Sequence, residues 1–211
     1  MAVFLLKAFA ISLSGVLAPG PMTAAAVARG ARSRHAGALM AVGHAVIELP
    51  LMLLIMAGAG KALASEAVKI GIGLLGGAFL LAMGAQLLWS LRKAGAAAGA
   101  GGKRGPVLTG ILLSGGNPYF LLWWATIGLA LTTQAAQLGV LAFGLFAAVH
   151  WVCDLVWLEL LSLASFKGAR LMGGRAEKVV LAVCGAALVA FGGMFLWDAG
   201  GKLLASASPG G

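Results

Sequence analysis

Long unbroken apolar stretches dominate this chain, with neither the two-residue alternation of a half-buried strand nor the one-sided stripe of a surface helix. Six can be read, at residues 3–28, 37–60, 70–91, 107–131, 138–166 and 179–199. Each reaches the roughly 20 residues that an α-helix needs to cross about 30 Å of hydrocarbon. The expected fold is an all-α polytopic membrane protein with six transmembrane helices. The first stretch has Lys7 ahead of apolar residues, as a signal peptide would. It runs on past Pro21 without a small-residue cleavage site and is taken as helix one.

The polar exceptions inside those runs carry the chemistry. His44 and Glu48 lie four residues apart in the second run, and His150 and Asp154 repeat the spacing in the fifth. Residues four apart share one helix face. An ionisable group at a bilayer centre costs about 2.5–3.5 kcal/mol on insertion scales, so a pair that recurs at membrane depth points to function. A carboxylate beside an imidazole in a low dielectric is balanced between desolvation, which favours its neutral form, and the neighbouring positive charge, which favours its anion. Such a pair can load and release protons. The structural alternative is an ion pair that ties helices two and five to the bundle.

The two pairs are offset by 106 residues, and the last helices of the two halves repeat at a similar interval. GGAFLLAMGAQLLW, Gly76 to Trp89, aligns without gaps to CGAALVAFGGMFLW, Cys184 to Trp197, with seven of fourteen positions identical. The chain therefore divides into a first three-helix repeat (1–91), a basic Gly/Ala-rich linker (92–106) and a second three-helix repeat (107–211). Three helices is an odd number, so the second repeat enters the membrane inverted. Inverted-repeat transporters bind substrate near the midplane on interrupted helices. Interruptions are present: Pro19, Gly20 and Pro21 in helix one, and Gly115, Gly116, Asn117 and Pro118 in helix four. Proline removes a backbone donor and glycine permits the bend. The polar groups so freed are tolerated only where protein or a wet cavity answers them.

Composition agrees with a membrane: 61% of residues are hydrophobic and 10% charged. The net charge of +9 acts as a topology signal. Eleven basic residues (Arg29, Arg32, Arg34, Arg92, Lys93, Lys103, Arg104, Lys167, Arg170, Arg175 and Lys178) follow helices one, three and five, against Lys7, Lys61, Lys69 and Lys202 on the other side. Cytoplasmic loops carry the excess, so both termini are expected outside. Basic residues confined to helix ends do not form a nucleic-acid surface. Cys153 and Cys184 lie in apolar runs without a CxxC pair and read as small buried hydrophobes. No cofactor or resident metal is expected.

At the stretch SGVLAPGPMTAAAVARGARSRHAGALMAVGHA, and at Asn117-Pro118 opening YFLLWW, the chain resembles the lysine exporter (LysE/RhtB-type) family of bacterial amino-acid efflux permeases. Length, helix count and basic linker agree with it. Met22 and Thr23 stand where many members carry Asn or Gln after Pro-Gly-Pro, and Tyr119 where lysine is common. The resemblance implies a secondary exporter of an amino acid or related metabolite in the inner membrane, coupled to protons. His44, Glu48, His150, Asp154 and Asn117 are then expected to bind substrate or proton. The broken ends at Pro19, Gly20, Pro21, Gly116 and Pro118 offer helix N-termini to a carboxylate.

Other readings compete. Two histidines and two carboxylates would also suit a divalent metal exporter. A structural membrane subunit has little reason to place an acid in both halves, and a membrane enzyme or electron carrier would need a nucleophile or paired thiols. Glu159 is expected nearer the cytoplasm, as a gate or a snorkelling group, and His35 in solvent. Gln86, replaced by Met194 in the second half, reads as glue between helices. Gly77 and Gly84, matched by Gly185 and Gly192, predict close helix packing within the chain or across a homodimer. Trp89 and Trp197 read as interface anchors.

Overall fold

The computed structural model describes residues 1–92, 104–171 and 175–207. Most of the expected linker, including Lys93 and Lys103, lies outside the described residues. Helices follow in the order α1 (Ala2–Val16), α2 (Pro21–Gly30), α3 (Ala36–Leu54), α4 (Gly60–Leu63), α5 (Glu66–Arg92), α6 (Pro106–Gly115), α7 (Pro118–Trp123), α8 (Leu129–Gln137), α9 (Val140–Leu171) and α10 (Arg175–Ala207). A kink at Ile55–Ala59, where Gly58 has a φ of +106°, joins α3 to α4, and a π-helical turn joins α7 to α8 at Trp124–Gly128. Among the described residues there is no strand. Four helical runs are long and apolar enough to cross a membrane: Ala36–Ala59, Glu66–Leu91, Val140–Gly168 and Lys178–Ala205. The protein is a multi-pass membrane protein.

The two expected breaks fall where proline and glycine lie. α1 and α2 meet at 73° across Leu17 to Gly20, and the pair makes a fifth apolar span if counted as one. Pro21 opens α2, where a missing N–H costs nothing. In the second half α6 ends at Gly115 and α7 restarts at Pro118, capped by Asn117, whose side-chain oxygen accepts from the Tyr119 amide at 3.1 Å. At Gly139, between α8 and α9, φ is +104°, a left-handed turn that a side chain would strain.

Small residues set how closely the helices approach. α5 and α10 run antiparallel, because a Cβ on Gly77 would meet the Gly192 carbonyl at 2.9 Å and one on Gly84 the Gly185 carbonyl at 2.8 Å. The four matched glycines are thus used within the chain. On the other side of the molecule α3 packs on α6, with the Gly110 Cα side pressed against the Met40 carbonyl and Gly43. α3 also lies against α9, where Gly37 meets the Leu158 carbonyl and Trp151 Nε1 donates to the Ala41 carbonyl at 3.1 Å. Without a hydrophobic drive between helices in lipid, such contacts and van der Waals packing hold the bundle.

At the end that carries the basic segments, three side chains of α9 hold the α2–α3 connection. Glu159 pairs with His35 Nδ1 at 2.5 Å and accepts the Ala38 amide at 3.0 Å, so it caps α3. Ser162 donates to the Arg34 carbonyl at 2.9 Å, and Ser165 to the Val27 carbonyl at 2.7 Å. His35 is exposed, as expected, and shares the carboxylate of Glu159, which turns into a helix end and does not snorkel. The reason is the α3 N-terminus, whose unpaired amides draw the carboxylate inward.

Candidate functional site

The histidine–acid pairs of α3 and α9 do not stand apart. They converge into one buried cluster, because the glycine contacts bring the two helices together at the depth of Ala41. Glu48, wholly buried, lies at its centre, with Oε1 3.1 Å from both His44 Nε2 and His150 Nε2. Asp154 flanks it, 3.8 Å from His44 Nε2 and 3.7 Å from His150 Nε2. The cross-helix contact from His150 to Glu48 is therefore shorter than the contact within its own helix to Asp154.

The far nitrogen of each imidazole is held by a serine from the opposite half. His44 Nδ1 lies 2.6 Å from Ser114 Oγ on α6, and His150 Nδ1 lies 2.7 Å from Ser12 Oγ on α1. Ser114 donates its own proton to the Gly110 carbonyl at 2.6 Å. Its oxygen is thus left to accept, which places a proton on His44 Nδ1. His44 Nε2 and Glu48 Oε1 then share one proton between them. An imidazolium facing a carboxylate and a neutral imidazole facing a carboxylic acid are the two ends of that short transfer. Aromatic rings frame it: His150 stacks on Trp123 at 5.2 Å and meets the edge of Trp124 at 5.3 Å, and His44 meets Phe120 at 5.1 Å. Of the three, Trp123 alone is stacked face to face on its histidine.

Three polar atoms around the cluster have no hydrogen-bond partner: Glu48 Oε2, Asp154 Oδ2 and Trp157 Nε1. Buried polar atoms left so are costly and call for a water, ion or ligand. All three residues line a cavity of about 80 Å³, room for about six water-sized groups. Both helix breaks also line it, through Pro19, Gly20, Pro21 and Met22 on one side and Ser114 and Asn117 on the other. The N-terminus of α2 opens on this cavity. Of the residues the sequence singled out, His44, Glu48, His150, Asp154, Asn117, Pro19, Gly20 and Pro21 share it; Gly116 and Pro118 do not line it. Pro118 packs instead on Gly76 of α5, where a Cβ would overlap its ring. Gln86 is exposed on α5, away from the cluster, and makes no hydrogen bond among the described residues.

A model of the LysE type translocator family matches residues 13–199. The chain belongs to that family. The match covers both broken stretches, the cluster and most of α10, and it makes this LysE-type protein a transporter of small molecules and not an enzyme. Neither the curated proteins nor the solved structures gave a match. Ser12, Ser114 and Trp157 escaped the sequence reading, and Trp123 and Trp124 entered it only as part of the YFLLWW stretch. Lone serines in apolar runs were the available signal, since a hydroxyl inside lipid needs a partner.

Proposed function

We propose that this LysE-type translocator exports an amino acid or a related small metabolite across the inner membrane in exchange for protons. The observation that carries the proposal is the convergence of both histidine–acid pairs on one cavity with Glu48 Oε2 and Asp154 Oδ2 left without a hydrogen-bond partner. Two carboxylate oxygens without donors suit an ammonium group or a proton, taken in turn. The α2 N-terminus and the Asn117 amide suit the carboxylate of the same solute.

The six-helix inverted arrangement, with 1–91 and 107–211 as repeats and both termini outside, belongs to this proposal. Gly77 and Gly185 hold equal places in the repeat, as do Gly84 and Gly192. A two-fold axis across antiparallel helices pairs Gly77 with Gly192 and Gly84 with Gly185, the crossed pairing that the packing has. The crossed serine–histidine bonds favour the same axis. The eleven basic residues orient their side to the cytoplasm.

A second reading treats a divalent cation as the exported solute. It is favoured by His44, Glu48 and Asp154, whose ligand atoms lie within 4.8 Å of one another, a nitrogen and oxygen donor set of borderline softness. One experiment separates the two. Liposomes holding the protein are loaded either with labelled amino acids or with manganese or zinc, and efflux is followed with acid outside. Gradient-dependent loss of one or a few amino acids is expected, and the metals stay inside. Metal efflux with every amino acid retained would replace the first reading by the second.

A further inference from the structure

A second cavity, of about 410 Å³, lies beside the central one between α2, α5 and α6. Pro21 and Leu188 line both, so the two spaces share a wall of two side chains. The second cavity is on the side of the basic segments, which the proposed orientation makes cytoplasmic. Its charged lining is of one sign. Arg29 and Arg104 supply guanidinium groups, and Gln86, Ser90 and Thr109 the remaining polar atoms. No described acidic side chain lines it. Arg29 Nε is buried without a hydrogen-bond partner, an orphan donor of the sort that an anion answers.

The hydroxyls are set for the opposite task. Ser90 donates its proton to the Leu87 carbonyl at 2.7 Å, and Thr109 to the Gly105 carbonyl at 3.0 Å. Each oxygen is therefore left with lone pairs and no proton to offer. The rest of the wall, including Met83, Leu87 and Leu112, is apolar. Guanidinium groups for a carboxylate, hydroxyl acceptors for an ammonium and an apolar remainder together describe one ligand.

We propose that this vestibule is a waiting site for a zwitterionic amino acid with an apolar side chain, its carboxylate on Arg29 and Arg104, ahead of transfer past Pro21 and Leu188 to the central cavity. The proposal rests on the reading of the central cavity as the transport site and extends it to a substrate class. A second positive charge, as in lysine or arginine, would meet two guanidinium groups and no described carboxylate. Size separates the two cavities: an amino acid has room in the vestibule, while the central cavity as it stands is a fifth of that volume.

The test is equilibrium binding of labelled L-leucine and L-lysine to the full chain in phosphatidylcholine nanodiscs. Leucine is expected to bind, with lysine at least about tenfold weaker, a difference of about 1.4 kcal/mol. Arg29→Gln with Arg104→Gln should lower leucine affinity by a similar factor, and Gly144→Leu, at an exposed position of α9 outside both cavities, should leave it in place. Arg104→Glu, at an exposed position, should invert the preference and bring lysine in, a gain that misfolding cannot produce. Unchanged leucine affinity in the double variant, equal binding of lysine by the wild type, or no binding of leucine would each overturn the proposal. So would loss of leucine binding when phosphatidylglycerol replaces phosphatidylcholine, since a lipid headgroup would then be the occupant. If the vestibule behaves as expected but Glu48→Gln still exports against a proton gradient, the transport reading of the central site fails and the vestibule stands.

Discussion

Glu48→Gln is expected to abolish proton-driven efflux, by about 100-fold or more, in a protein that still folds. Glu48 Oε1 lies 3.1 Å from Nε2 of both imidazoles. An amide there keeps the shape and one acceptor but has no negative charge to hold either imidazolium. Removing one partner of a buried ion pair costs about 3–5 kcal/mol, and each 1.4 kcal/mol is a factor of ten. Both imidazoles can stay neutral beside the amide, so the cost falls on the proton-loaded state; borne by the fold it would lower the melting temperature by about 6–20 °C, and a shift of no more than about 4 °C is expected. Asp154→Asn should be milder but in the same direction, because Asp154 lies 3.7 and 3.8 Å from the imidazoles and does not bridge them. Transport assays beside melting curves check both. A Glu48→Gln protein that melts far below the wild type would assign the cluster to architecture instead.

Gly110→Leu is expected to lower the melting temperature by about 2–12 °C and to close down transport with it. A Cβ at position 110 would overlap the Met40 carbonyl, which is backbone and cannot turn aside. α6 and α3 must separate, and overpacking of this kind costs about 1–3 kcal/mol or more, with each kcal/mol worth about 2–4 °C in a chain of this size. Ser114 moves with α6, so the His44 Nδ1 contact goes too. Gly144→Leu, on the exposed face of α9 with open space at its Cβ, is the matched control and should melt with the wild type. Equal melting of the two variants would remove the glycine argument for the α3–α6 contact.

The sequence made the helices legible because lipid demands about twenty apolar residues at a time, and the chain has little else. It also disclosed the breaks, since proline and glycine act locally: the Pro19 to Pro21 stretch turns the chain by 73°. His44 with Glu48, and His150 with Asp154, were visible as pairs because four-residue spacing is a property of a single helix. Their fusion into one cluster was not visible. It depends on how far α3 slides along α9, which is decided by Gly37 against Leu158 and Trp151 against Ala41, contacts between residues more than a hundred positions apart. The serines were hidden for a related reason. Ser12 and Ser14 are equivalent in sequence, yet only Ser12 faces His150, while Ser14 bonds back to the Ile11 carbonyl. Glu159 shows the same limit from the other side, since its partner is the start of a helix and not a charge pattern.

The measurement that bears most directly on the account follows protons and solute together. Liposomes carrying the protein, a pH-reporting dye and whichever labelled amino acid leaves in the efflux assay are placed in a medium of equal pH, and internal pH is recorded as the amino acid runs down its own gradient. The account predicts that the lumen acidifies in step with amino-acid loss, because each solute released lets a proton in through Glu48. It also predicts that the acid signal vanishes in Glu48→Gln. Amino-acid efflux with no change of internal pH, in the wild type, would contradict proton exchange at the cluster.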